Sequence, residues 1–222
     1  VMVVLLVVAV TLLVWTATTL PETKPAGEAR ASPKETLRTM MMDSAILRAA
    51  LLIAIFNISL FSYYALGPFI FQRLKLSNEL YGFSGAVLAI GASLGSWLNK
   101  QLLRLGINSE KLIASASGLV FLGGAGVQLM KDTIWFLVPL FLVVVAFGLA
   151  VPNVLGTALS RYQDRLGTAG ALFGLTYYLI IGGGMALVGM SEALGGALIA
   201  CGAFALLLCL PRLSKGPTNH GR

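Results

Sequence analysis

Asn57, Phe61, Tyr64 and Pro68 follow one another at steps of four, three and four residues, the spacing that puts side chains on one stripe of an α-helix. An amide, a phenyl ring and a phenol can hydrogen-bond and stack, but nothing beside them titrates near neutral pH. The chemistry on offer is recognition. An aromatic face holds a cation or a flat apolar group, and an amide fixes its orientation. Asn153, next to Pro152 in "FGLAVPNVLG", and Tyr177, followed by Tyr178, place similar groups in two other apolar runs. Polar groups in lipid are costly unless they face protein or a wet cavity, so the stripe either lines a pathway or makes plain interhelical hydrogen bonds. All nine carboxylates (Glu22, Glu28, Glu35, Asp43, Glu79, Glu110, Asp132, Asp164 and Glu192), every Lys and Arg, and His220 fall outside the interiors of the apolar runs. Cys201 and Cys209 share the last run with no histidine nearby and read as buried, inert thiols. No metal ligands and no nucleophile–base pair are recognisable, so neither a cofactor nor an enzymatic activity is expected.

The elements that must position these groups are written in the charge pattern. The 222-residue chain is 57% hydrophobic and 11% charged, with a mean hydropathy of +0.87, whereas soluble domains are about 25% charged. Seven windows lack any charge: Val1–Pro21, Ala49–Gln72, Leu80–Asn99, Leu112–Met130, Thr133–Ser160, Leu166–Ser191 and Ala193–Pro211. A helix crossing the hydrocarbon layer needs about 20 apolar residues, so the expected fold is all-α, a polytopic membrane protein with about seven spans. A secretory signal peptide would need basic residues ahead of its apolar run. Here the run opens at residue 1 and the basic residues follow it, which points to a sequence that begins inside a longer protein.

Between the first two runs, Pro21, Pro25 and Gly27 mark a linker, and Ser32-Pro33-Lys34-Glu35 has the form of a capping box opening a short helix. Leu37, Met40 and Met41 share one face of that helix, which serves either as a membrane-surface element or as a plain connector. Gly67 and Pro68 late in the second run, and Pro152 in the fifth, are candidate hinges, because proline removes a helix hydrogen bond. The second and fifth runs open successive three-helix groups, which an odd count inverts in the membrane; paired proline-interrupted helices in inverted repeats point to a central transport site. Gly91–Gly95 and Gly170–Gly174 are GxxxG pairs suited to close helix packing.

Orientation follows from the basic residues. If the segment Glu22–Arg48 is cytoplasmic and sides alternate, thirteen of the sixteen Lys and Arg share that side, and Arg73, Lys75 and Lys131 lie opposite. The bias puts the N-terminus in the periplasm and the C-terminus in the cytoplasm. The net charge of +7 then reads as topology and membrane-surface attraction, with no nucleic-acid partner.

"VPNVLGTALSRYQDRLGTAGALFG" resembles the end of helix ten, the following loop and the start of helix eleven in major facilitator drug exporters, most closely the Bcr/CflA type of multidrug resistance protein. "LPETKP" resembles the end of helix six in that superfamily, and "GSWLNKQLLRLG" its second-half loop motif, with Asn99 where an aspartate is usual. The resemblance lays the chain onto helices six to twelve. It implies residues 1–19 as helix six, 20–45 as the cytoplasmic central loop, 46–211 as a six-helix C-terminal bundle and 212–222 as a cytoplasmic tail. It implies a drug:proton antiporter of the bacterial inner membrane, working by alternating access, with a small amphipathic drug, protons, the lipid bilayer and an N-terminal half of the same transporter as partners. Asn57, Phe61, Tyr64, Asn153 and Tyr177 would contact substrate; Gly67, Pro68 and Pro152 would be hinges; Arg161 and Arg165 would pin a loop. The alternatives are a seven-helix receptor, although a retinal protein would need a lysine in its last span, and an inactive truncated fragment.

Overall fold

Helices form along the charge-free runs and stop where charges and turn residues begin. The computed structural model describes residues 2–19, 32–160 and 162–213. Two units are described separately, residues 1–31 and 32–222. In the first, α1 (Met2–Thr19) has no buried residue. Its threonine hydroxyls turn back onto the helix, as Thr11 does on the carbonyl of Val7 at 2.8 Å, which satisfies them without a partner helix.

The second unit comprises α2 (Pro33–Met42), α3 (Ser44–Arg73), α4 (Asn78–Arg104), α5 (Ser109–Leu129), α6 (Leu137–Ala158), α7 (Leu166–Ser191) and α8 (Leu194–Leu213). Short 3-10 turns, Ile134–Phe136 and Gln163–Arg165, lead into α6 and α7. No strand occurs among the described residues. Six helices, α1 included, are long and apolar enough to cross a membrane, and Leu194–Leu210 forms a shorter apolar helix at the place of the seventh expected span. The fold is an all-α polytopic membrane bundle. The linker prolines, Arg161 and His220 lie outside the described residues.

The expected capping box at Ser32 does not form. Ser32 occupies the N-cap of α2 without a side-chain hydrogen bond, and Pro33 opens the helix instead. Met40 is buried with Thr36 on this helix, while Leu37 and Met41 are exposed. The helix packs on α3 and α7. Real side-chain caps open the next three helices: Asp43 Oδ1 accepts from Ala45 N at 2.9 Å, Ser77 Oγ from Leu80 N at 3.3 Å and Asn108 Oδ1 from Glu110 N at 3.0 Å.

Connections of a few residues make consecutive spans antiparallel. α3 and α6 hold the centre; α4 packs on α6, α7 on α3, and α5 lies between α6 and α8. Side chains tie the helix ends together. Arg48 near the start of α3 meets Glu110 at the start of α5 at 3.0 Å, and its Nε donates to the carbonyl of Leu208 in α8 at 2.7 Å. Tyr162 Oη donates to Asp43 Oδ2 at 3.1 Å. At the opposite end Arg73 donates to the carbonyl of Lys131 at 2.9 Å.

With little hydrophobic force between helices in lipid, close approach of small residues supplies the adhesion. The expected pair Gly91–Gly95 does this for α4: a Cβ on Gly91 would lie 3.0 Å from the Phe141 ring, and one on Gly95 would meet Val145 and Gly148 of α6. The seam between α5 and α8 is as close, with Gly124 against Leu198 and Ile199, Gly195 against Gln128 and Gly202 against Phe121. The pair Gly170–Gly174 behaves differently. A Cβ on Gly174 would meet nothing within 4 Å, and one on Gly170 only the tip of Leu159 at 3.7 Å.

Candidate functional site

The α3 helix buries most of its length, and the stripe Asn57, Phe61, Tyr64 and Pro68 is its least covered face. Phe61 is 37% exposed and Tyr64 44% exposed. Asn57 is half-buried, and its Nδ2 donates to the Ile53 carbonyl one turn back at 2.8 Å. The neighbouring Tyr63 points the other way and is fully buried. Its hydroxyl meets Ser84 Oγ of α4, and Ser84 in turn donates to the Tyr81 carbonyl at 2.6 Å. Its ring belongs to a cluster with Tyr81, Phe71 and Phe136, whose centroids lie 5.4–6.4 Å apart. One helix therefore carries an uncovered polar–aromatic face and, on its far side, an aromatic anchor.

The prolines explain what α4 contributes. A proline leaves the carbonyl four residues earlier without its helical partner, and in a membrane that oxygen must be satisfied by a neighbour. For Pro68 the freed carbonyl is that of Tyr64, and Tyr81 Oη donates to it at 3.2 Å. For Pro152 it is that of Gly148, and Ser96 Oγ donates to it at a long 3.5 Å. Both donors sit on α4, so one helix supports both proline positions. The ring of Tyr81 also lies on Gly67, where a Cβ would come within 2.6 Å of it; a side chain there would displace the donor.

Tyr81→Phe and Ser96→Ala are each expected to loosen the helix at one proline alone. At about 1 kcal/mol per lost hydrogen bond, amide exchange should accelerate about fivefold around Pro68 in the first variant and around Pro152 in the second. Hydrogen–deuterium exchange of peptides spanning each proline reads this directly. Equal acceleration in both regions from either variant would contradict the assignment.

Asn153 is 5% exposed. Its Nδ2 donates to Asn99 Oδ1 of α4 at 2.6 Å and to the Leu149 carbonyl at 2.8 Å, so its amide closes the α4–α6 contact. Tyr177 is half-buried and stacks on Phe173 and Tyr178, with centroids 5.5 and 4.6 Å apart. Among the described residues no hydrogen bond or ring contact joins the α3 stripe, Asn153 and Tyr177 to one another. Sequence reasoning did not single out Tyr63, Tyr81, Ser84 and Ser96.

At the end of the bundle carrying Arg48, a cavity of about 190 Å³ is lined by Asp43, Arg48, Glu110, Thr157 and Ser160. Arg48 and Glu110 are already paired there, and Asp43 accepts from both Ala45 N and Tyr162. No group of three or more His, Cys, Asp or Glu residues able to hold a metal occurs among the described residues. Cys209 is buried 3.8 Å from Ser117 Oγ. The arrangement can bind, bend and pack.

Comparison with known proteins agrees with this inventory. An "Uncharacterized transporter" of Rickettsia bellii (strain RML369-C) is 29% identical over 180 residues, covering 73% of this chain and 44% of the relative. Another "Uncharacterized transporter", from Rickettsia felis (strain ATCC VR-1525 / URRWXCal2), is 27% identical over 178 residues, with the same coverages of 73% and 44%. The chain thus spans less than half the length of these curated relatives. No solved structure gives a significant match. The family model described as Major Facilitator Superfamily matches residues 1–186, taking in α1, both proline-containing helices and most of α7. With that model over residues 1–186, apolar membrane-length helices and relatives named as transporters, the chain belongs to the Major Facilitator Superfamily.

Proposed function

We propose that this chain is the C-terminal portion of a bacterial multidrug exporter that exchanges a small amphipathic drug for protons by alternating access. The observation that carries the proposal is the α3 stripe: an amide, a phenyl ring and a phenol on the uncovered face of a helix otherwise buried. Such a face suits an apolar or cationic drug, which gains from stacking and a few oriented polar contacts. Phe61, Tyr64 and Asn57 contact the substrate, and Tyr177 extends the aromatic surface on α7. Asn153 reaches a substrate only in a conformation that opens its bond to Asn99; in the closed arrangement it positions α6 against α4.

The proton-carrying group belongs to a further segment of the transporter. Every described carboxylate whose side chain is placed lies at or near a helix end, and the curated relatives are more than twice as long as the aligned region. The thirteen-to-three split of basic residues supports an inner-membrane orientation with the C-terminus in the cytoplasm.

Alanine at Asn57 or Tyr64 of the intact transporter tests the reading. A lost cation–π or stacking contact of about 1 kcal/mol should weaken drug binding about fivefold and lower cellular resistance, with membrane expression unchanged. Tyr177→Ala should cost less. Unchanged resistance and binding in the Asn57 and Tyr64 variants would remove the drug-site assignment.

A further inference from the structure

The end of the bundle away from Arg48 carries charged groups that the transport reading does not use. Arg73 closes α3, Lys131 follows α5, and Glu192 forms the turn between α7 and α8. With Gln128 they line a cavity of about 130 Å³. Ile70, Arg73 and Glu192 also border a groove of about 370 Å³ that continues along Ala65, Leu66, Phe69 and Gly189. A polar chamber thus opens into an apolar slot, with Arg73 and Glu192 at the junction.

From this geometry we propose a binding site for a membrane glycerophospholipid whose headgroup bears a primary ammonium. Its phosphate sits between Arg73 and Lys131, its ammonium against Glu192, and an acyl chain runs down the slot. The depths agree with this assignment. At 1.5 Å per residue, Phe69 lies about 6 Å and Ala65 about 12 Å below Arg73 along the helix, as a chain does below its phosphate.

The charges select the headgroup. Arg73 gives one N–H to the Lys131 carbonyl at 2.9 Å and lies 3.8 Å from Asp132. Both partners of that ion pair are mostly exposed (55% and 74%), and such a pair is loose; a guanidinium with five donors has others left for phosphate. The Lys131 ammonium and the Glu192 carboxylate make no hydrogen bond or ion pair among the described residues. Two cations and two carboxylates form a balanced set. An anionic headgroup would meet Asp132 and Glu192 uncompensated, and a quaternary choline has no N–H for Glu192. A primary ammonium satisfies both conditions.

Glu192 holds a left-handed backbone (φ 48°) that glycine adopts more easily. Glu192→Gly therefore removes the carboxylate without harming the turn, which separates ligand loss from structural loss. The experiment adds phosphatidylethanolamine, phosphatidylglycerol or phosphatidylcholine to the delipidated, purified transporter and counts retained lipid by native mass spectrometry. Phosphatidylethanolamine should be retained about tenfold better than either other lipid, the worth of one charge-assisted hydrogen bond. Arg73→Gln and Lys131→Gln should abolish that retention. Glu192→Gly should level phosphatidylethanolamine with phosphatidylcholine while its thermal midpoint stays at or above the parental value. Equal retention of all three lipids, a preference for phosphatidylglycerol, or variants that retain phosphatidylethanolamine as the parent does would each overturn the site.

Discussion

Leucine in place of Gly95 or Gly148 is expected to abolish the folded bundle. A Cβ on Gly95 would press on the Val145 carbonyl oxygen, 3.0 Å from its carbon and 3.1 Å from Gly148 Cα. A Cβ on Gly148 would meet the Ala92 carbonyl and lie 2.9 Å from Ser96 N. The obstacles are backbone atoms, which cannot rotate aside, so α4 and α6 must part. Parting them would also stretch the Asn99–Asn153 bond and withdraw Ser96 from the carbonyl freed by Pro152. The cost should be about 3 kcal/mol or more. Detergent-solubilised variants should elute as aggregate, or unfold well below the parent in a thermal scan. Gly85→Ala and Gly118→Ala are the controls. Nothing lies within 4 Å of a Cβ at either position, and alanine favours the helix by up to about 1 kcal/mol. A monodisperse Gly95→Leu protein with the parental midpoint would show that α4 and α6 do not meet as described.

Arg48→Met should produce the second large effect. The guanidinium joins three helices, through Glu110 of α5 and the Leu208 carbonyl of α8, and its side chain is only 16% exposed. Removing one member of a largely desolvated pair takes from the other its two-pronged counter-charge. With Glu110 at 26% exposure water recovers part of that loss, and about 2 kcal/mol is expected. For a chain of this length this corresponds to a fall of about 4–8 °C in the midpoint. Arg48→Met combined with Glu110→Met should unfold at a higher temperature than Arg48→Met alone, because the part-buried carboxylate that lost its guanidinium is then gone too. Arg48→Lys should fall in between, since an ammonium keeps the charge but loses the planar fork that serves two acceptors at once. A double variant less stable than either single one would mean that packing, not the ion pair, sets the stability there.

How far each feature can be read from sequence depends on whether it is local. Helix ends were legible because a charge or turn residue marks them: Lys131-Asp132 separates α5 from α6, and Glu192 separates α7 from α8. That Asn57, Phe61 and Tyr64 share one face of α3 was legible as well, since they repeat at helical spacing. Partner choice was not. Asn153 reads as a polar group near a kink, yet it bonds to Asn99, 54 residues away, and nothing in either segment names the other. Two identical GxxxG patterns had opposite fates: Gly95 is wedged against α6, whereas Gly174 faces open space. Apolar helices in lipid present similar surfaces on every side, so register between helices decides which small residues touch.

The placement of charge has an electrical consequence. In α3 to α7 every Lys, Arg, Asp and Glu lies within five residues of a helix end. Carrying one elementary charge across a potential of 100 mV involves about 2.3 kcal/mol of work, and groups held at the two surfaces hardly move through that field. Bending within α3 to α7 would therefore carry almost no formal charge of these helices through that field.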